Sequence, residues 1–384
     1  MARLVLGGDV MLARGVGQSL AARPSVPLLD DGLRQLFAGA DLSIANLECC
    51  ITGGPGGEAM DDGFAAAVAV HGRPGSADRF CAPSQAAAAV ASMGLSCVSL
   101  ANNHSLDAGW PGLASTRAQL ADAGVLALGV SRRAPDGTCA DEVDAAVVLD
   151  IAGIQIALVA VCDAAAAGPA RPRRDGQGRE DGQHRSERFA GPAIVDFQSG
   201  CPERLLLEVR RLRSAVDAVV VFPHWGPNFS LEPVLAVRTA AAQLLDAGVD
   251  LIVGHSAHVF QAVAGQVVFD AGGLVDDYPP HPLLRTDLGL VCAAELDHRG
   301  LQSLELFPVV RSDGTTRLAE GEDHRWARDR LQDAAAALTD PTIDVDGSVD
   351  GSGESIAGRR SGQTLLADPL LADSPAAEIS RWWR

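Results

Sequence analysis

Residues 215–258 read AVDAVVVFPHWGPNFSLEPVLAVRTAAAQLLDAGVDLIVGHSAH. An apolar run, 215–222, stops at Pro223-His224-Trp225-Gly226. A stretch with helical spacing, 233–246, follows, and a second apolar run, 249–253, ends in Gly254-His255-Ser256-Ala257-His258. Short β-branched runs on either side of a helix mark a strand–helix–strand unit. Each run delivers imidazoles at its carboxyl end, where α/β folds gather their ligands. This segment therefore predicts an α/β protein with its site at strand ends.

The same grammar extends outward. Strands are expected at 3–8, 41–47, 95–101, 125–129, 145–151, 155–161, 266–270, 288–296 and 303–309. Helices are expected at 32–38, 84–93, 112–123, 203–214 and 323–338, with Ser84 as an N-cap and Gly94 and Gly124 as helix stops. The runs 145–151 and 155–161 have no helix between them, nor do 288–296 and 303–309, so antiparallel pairs accompany the parallel ones. A purely parallel doubly wound sheet is disfavoured. Two segments break the pattern. Residues 168–188 hold six Arg and four acids and read as a polar insertion. Residues 339–384 are rich in Asp, Gly and Ser, carry eight acids and four Arg, and end in Trp382-Trp383-Arg384. The chain is read as one domain, 1–338, followed by an acidic tail, 339–384.

Composition excludes several chemistries. The 384 residues contain 31 basic and 49 acidic side chains, a formal net charge of −18, and every basic one is arginine. Without lysine there is no Schiff-base, P-loop or general-base lysine. The acid surplus argues against nucleic acid as partner. The eight cysteines include no C-x-x-C pair, and the plain expectation is buried, reduced thiols. The apolar opening at Met1-Ala2-Arg3-Leu4 has the pattern of a strand, and no stretch is long enough to span a bilayer, so the expectation is a cytoplasmic protein with no membrane anchor.

The chemistry is carried by polar residues placed just after apolar runs. Run 3–8 leads into Asp9, run 41–47 into Glu48, and run 95–101 into Asn102-Asn103-His104-Ser105-Leu106-Asp107. The two runs quoted at the outset add His224, His255 and His258. Singly, each has a structural reading: Asp9 as cap of a helix starting near Val10, Asn103 in a left-handed turn, His224 as a hydrogen-bonded core residue. Together, carboxylate, amide oxygen and imidazole at five strand ends suit a hard or borderline divalent cation.

The order G-D, N-L-E, A-N-N-H-x-x-D-x-G, H-W-G and G-H-x-x-H resembles the bacterial capsule-synthesis family of the CapA, or poly-γ-glutamate synthesis, type, a branch of the calcineurin-like metallophosphoesterase superfamily. The run Phe269-Asp270-Ala271-Gly272-Gly273-Leu274-Val275-Asp276-Asp277-Tyr278 is similar to that family's last glycine-rich strand and loop. The resemblance implies a four-layer α-β-β-α sandwich of two mixed sheets. It implies one or two divalent ions (Mn, Zn, Fe or Mg) on Asp9, Glu48, Asn103, His224, His255 and His258. His104 would be the general acid, oriented by Asp107. Arg14, Asn102 and Asn228 would contact an acidic substrate, guanidinium forks being suited to carboxylate and phosphate. The chain departs from the superfamily's D-x-H with Asp9-Val10-Met11, and from the family's H-W-G-x-E with Asn228. Methionine is a poor ligand for hard cations, so the first site has one imidazole fewer.

The implied activity is a metal-dependent hydrolase or transferase acting on γ-glutamyl or other acidic peptide-like substrates through metal-activated water. The alternatives are a phosphoesterase on a small metabolite and a non-catalytic assembly factor for polymer or capsule synthesis, with the Trp382-Trp383 tail as docking peptide. The arginine-rich insertion is either a polyanion contact or a solvated loop.

Overall fold

The computed structural model of the protein describes residues 1–52, 79–132, 146–167, 189–312 and 314–339. The arginine-rich insertion and the acidic tail lie outside the described residues. Strand Ala2–Val10 is the hinge of the architecture. Its side chains alternate between two apolar clusters, which is why its sequence is apolar on both faces rather than amphipathic. Leu4 and Leu6 enter one cluster and Val5 the other.

The first sheet runs Thr315–Leu318, Gly300–Ser312, Leu288–Asp297, Ala2–Val10, Leu42–Leu47, Cys97–Ser99, Leu126–Leu128, with Gly273–Val275 added beside the end of Ala2–Val10. It is antiparallel from Thr315–Leu318 to Ala2–Val10 and parallel from there on. The second sheet runs Ile194–Val195, Ile154–Asp163, Ala218–His224, Leu251–Val253, Val267–Val268, Val263–Ala264, with Ala146–Ile151 antiparallel to Ile154–Asp163. The two antiparallel pairs expected from the missing helices are both present.

Three apolar clusters make four layers. Leu4, Leu6 and Ile44 of the first sheet meet Ile156, Leu158 and Val220 of the second, so the sheets pack face to face. On the outer face of the first sheet, Val5, Ala45 and Val98 pack with Leu20, Leu33, Phe37 and Val90 from helices Arg14–Ala22, Asp31–Ala38 and Gln85–Ser92. On the outer face of the second, Val159, Val219 and Val221 pack with Leu205 and Val209 of Glu203–Arg213 and with Val237 and Leu244 of Leu235–Ala247. This is the α-β-β-α sandwich of mixed sheets. Among the described residues, no helix is long and apolar enough to cross a membrane.

Local signals behave mostly as expected. Gly94 and Gly124 follow their helices at φ +83° and +76°, where a side chain would be strained. Ser84 stands at the start of Gln85–Ser92 but makes no side-chain cap; helix Asp31–Ala38 does have a bonded cap, Asp30 Oδ1 accepting from Leu33 N at 2.8 Å. No helix begins near Val10. The strand continues through Val10 and helix Arg14–Ala22 starts four residues later, because Asp9 and Met11 spend their N–H groups on Gly272 O (2.8 Å) and Val275 O (2.7 Å) of the added strand segment. That approach needs Gly8: a Cβ there would sit 1.9 Å from Gly272 O.

Candidate metal centre

Backbone pairing brings the polar strand ends of both sheets to one place. Asp9 is in register with Asn46, and Glu48 N donates to Val10 O at 3.0 Å, so the ends of the first two parallel strands lie together. In the second sheet His224 and His255 are bridged. His255 N donates to Pro223 O at 3.0 Å, and Trp225 N donates to His255 O at 3.0 Å. The turn carrying His258 is held from below by Asp270, whose carboxylate accepts Ala257 N and Gly272 N, each at 2.7 Å. Ser256 and His258 occupy φ +116° and +56°, strained backbone of the kind found at ligand sites.

The side chains converge accordingly. Asp9, Glu48 and His224 each offer a ligand atom within 4.8 Å of the others. His258 Nδ1 lies 3.1 Å from Asp9 Oδ2 and 3.7 Å from Glu48 Oε2, and His224 Nε2 lies 3.8 Å from Glu48 Oε1. These four side chains are at most 2% exposed. His255 stands behind them, with Nε2 directed at Gly7 O at 3.2 Å. Asn103 Oδ1 is buried with no hydrogen-bond partner, and so is Glu48 Oε2. A buried acceptor without a donor costs free energy unless something else completes it. The two carboxylates and the imidazole nitrogens gathered here are donors of the kind a divalent cation takes.

Electrostatics point the same way. Burial pushes the Glu48 carboxyl well above its usual range, and the neighbouring Asp9 and Asp270 charges push it further. Burial alone would raise Asp9 as well, but the hydrogen bond and charge of His258 hold it below the usual carboxylate range. Burial drives His224 down to about 3 and lowers His255, keeping both rings neutral with lone pairs to donate. A cation would neutralise the two adjacent buried acids and bind the neutral imidazoles.

Around this centre the other expected residues take distinct places. His104 Nδ1 is 2.7 Å from Asp107 Oδ2, and its Nε2 reaches to 4.0 Å from Glu48 Oε1. The Phe80 ring packs edge-on against His104 at 4.0 Å, and Phe80 N donates to the same Asp107 oxygen at 2.7 Å. Asn102 is 1% exposed and its amide groups are engaged within the protein: Nδ2 donates to Asn46 Oδ1 (3.0 Å) and Leu47 O (2.9 Å), while Oδ1 accepts His104 N (3.1 Å) and Ser105 Oγ (3.0 Å). Asn228 is exposed, next to Phe229, whose ring approaches His258 at 5.7 Å and Tyr278 at 5.6 Å. Arg14 is not a plain solvent-facing helix residue. It opens its helix at φ +50°, its guanidinium lies 4.8 Å from the centroids of both Phe80 and Tyr278, and it pairs with Asp277. Met11 is 2% exposed and packs in the outer apolar cluster.

Two participants stand within the motifs without a role having been expected of them. Asn46 Nδ2 donates to Asp9 Oδ1 at 2.8 Å and lies 3.4 Å from His224 Nδ1, tying the first sheet's carboxylate to the second sheet's imidazole. Tyr278 stacks beside His258 at 5.1 Å. The signal for Asn46 was its place two residues before Glu48 in the same run. A strand residue at that spacing points to the same face as the acid.

Residues 3–278 match the family described as "Bacterial capsule synthesis protein PGA_cap". Over 251 residues the chain is 28% identical to a Mycobacterium tuberculosis protein named "Probable polyglutamine synthesis accessory protein", a match covering 61% of this chain and 60% of that one. It is 24% identical over 237 residues to the capsule biosynthesis protein CapA of Bacillus anthracis, covering 60% of this chain and 51% of CapA. The chain thus spans three-fifths or less of the length of these relatives. Among solved structures, the 5'-nucleotidase of Candida albicans aligns with 88% of this chain and 58% of its own, at 9% identity and a TM-score of 0.40.

Proposed function

This chain belongs to the bacterial capsule synthesis family PGA_cap, and on that premise we propose that it is a metal-dependent hydrolase or transferase acting on a γ-glutamyl or related acidic peptide-like substrate. The observation that carries the reading is the cluster of Asp9, Glu48 and His224, in which Glu48 Oε2 is orphaned and Glu48 Oε1 lies 4.0 Å from the Nε2 of a carboxylate-oriented histidine, His104.

Asp9, Glu48, Asn103, His224, His255 and His258 are the proposed ligands. When bound, a divalent cation supplies Lewis-acid polarisation and water acidified towards a pKa of ~7. The chain's own residues do the rest. Asp107 accepts the His104 Nδ1 proton and fixes the ring, which leaves Nε2 as the atom that delivers a proton to a leaving group on the Glu48 side. The Phe80 ring, edge-on to His104 at 4.0 Å, helps hold the imidazole in place. Arg14 is proposed to receive the acidic group of the substrate: its planar guanidinium is pre-set between two aromatic rings, and a substrate carboxylate would take the place of Asp277. With no lysine in the chain, arginine, histidine and the cation carry all the positive charge available to the reaction.

The test is to strip the protein of metal, restore Mn, Zn, Fe or Mg singly, and screen γ-glutamyl peptides beside aryl phosphates. Metal-restored cleavage of γ-glutamyl amides, abolished in Asp9→Ala, is the expected result. Turnover of the aryl phosphates alone would support a phosphoesterase. The word "accessory" in the name of the mycobacterial relative favours a second reading, an assembly role in polymer synthesis. Absence of turnover with every metal, and no change in Asp9→Ala, would leave that reading standing.

A further inference from the structure

We propose that Cys50 and Cys81 form a redox modification site, a thiol pair that closes to a disulfide with a small-molecule disulfide as oxidant and staples the chain beside the metal centre. The two residues face each other in the parallel pair Cys50–Ile51 and Cys81–Ala82, and their Sγ atoms are 3.4 Å apart. A disulfide requires an S–S distance of about 2.05 Å, so closure moves each sulfur by roughly 0.7 Å. The pair also has an entrance. Cys81 is exposed and Cys50 buried, whereas Cys49, Cys97, Cys162, Cys201 and Cys292, the other described cysteines, are all buried.

The step balances within this pair and its oxidant. Cys81, as thiolate, attacks one sulfur of the oxidant, whose S–S bond breaks to release one thiol. The Cys50 sulfur then gives up its proton and attacks Cys81 in the mixed disulfide, and the second thiol leaves. Two protein thiols lose two electrons and two protons; one external disulfide becomes two thiols.

The position gives the bond a consequence. Glu48 lies two residues before Cys50, and Phe80 immediately precedes Cys81. Phe80 packs on His104, lies under the Arg14 guanidinium and donates its N–H to Asp107. Oxidation would tie this wall covalently to the segment that carries Glu48, closing a long loop of the unfolded chain.

The experiment equilibrates the reduced full-length chain in glutathione buffers of falling thiol-to-disulfide ratio, followed by acid quench, alkylation and peptide mass mapping. The expected result is the loss of two alkylatable thiols, a joined Cys50–Cys81 peptide, an upward shift of the thermal midpoint, and reversal of all three by dithiothreitol. Cys81→Ser, at the exposed member, should abolish the joined peptide and the shift. Cys201→Ser should keep both. A persistent glutathione adduct on Cys81 with Cys50 still alkylated, a joined peptide between other cysteines, or no loss of thiols would overturn the proposal.

Discussion

Glu48→Gln separates what the buried carboxylate does for the fold from what it does for a cation. In the metal-free protein Glu48 is 1% exposed beside Asp9, and its carboxyl is raised well above the usual value of 4.5. A group whose folded pKa is raised contributes stability below its unfolded pKa and loses it as pH rises through the folded pKa. Metal-free wild type should therefore lose stability as pH climbs above 4.5, and Glu48→Gln, having no proton to lose, should escape that part of the loss. Adding metal reverses the order. At a free cation concentration of about 100 times Kd, binding stabilises wild type by about 2.7 kcal/mol. A single domain of roughly 340 residues has an unfolding entropy of about 0.7 kcal/mol/K, so the midpoint rises by about 4 °C. Loss of one charged ligand, taken as a 10–100-fold weaker Kd, leaves about 0.4–1.4 kcal/mol at the same concentration, or about 1–2 °C. Scanning calorimetry on chelator-treated and metal-loaded samples across pH 5–9 reads both effects. An equal metal-induced shift in wild type and variant would refute the assignment of Glu48 as a ligand. A metal-free variant no more stable than wild type at the alkaline end would refute the account of its burial.

Four further predictions follow from the same geometry. His104→Ala should lower turnover by about 10²–10⁴-fold while leaving the metal-induced midpoint shift intact, and undiminished turnover would remove His104 from the chemistry. Arg14→Gln should raise KM for an acidic substrate by about tenfold with kcat little changed, measured against a neutral analogue that shows no such change. Trp225→Phe deletes the Nε1–H donated to Phe269 O at 2.9 Å in a buried setting; denaturant titration should show a loss of about 1–3 kcal/mol. Gly8→Ala places a Cβ 1.9 Å from Gly272 O, so it should cost at least about 1–3 kcal/mol and lower the midpoint even without metal; a neutral result would contradict the close approach of the two segments.

Much of the fold was legible because strand and helix signals are local. The run 218–224 is apolar on both faces since it is covered on both, and the breaks at Gly94 and Gly124 are positive-φ positions wherever the helices pack. The antiparallel pairs were visible as two apolar runs too close together for a crossover. Helix Arg14–Ala22 was visible only as a helix starting near Val10, four residues too early. Its Arg14-Gly15-Val16-Gly17 start is poor in helix propensity, and packing of Leu20 on the first sheet supplies what propensity lacks. The short strand Gly273–Val275 lies in the glycine-rich strand and loop that the resemblance marked, but its pairing was hidden, since its partner is some 260 positions away along the chain.

For the site, the inventory could be read from the order of residues alone: which donors follow which apolar runs, and that lysine takes no part. That much is local, because the residue after a strand is presented at its end whatever surrounds the strand. The assembly of these donors depends on long-range packing. Sheet register set Asp9 beside Asn46, the bridge at His224 and His255 carried the second sheet's imidazoles to the first sheet's acids, and face-to-face packing sealed Glu48 from water. The same long-range pairing set Arg14 between Phe80 and Tyr278 and Cys50 against Cys81. Electrostatic and covalent chemistry depends on distances of a few ångströms between residues tens to hundreds of positions apart, and those distances are fixed by packing rather than by propensity.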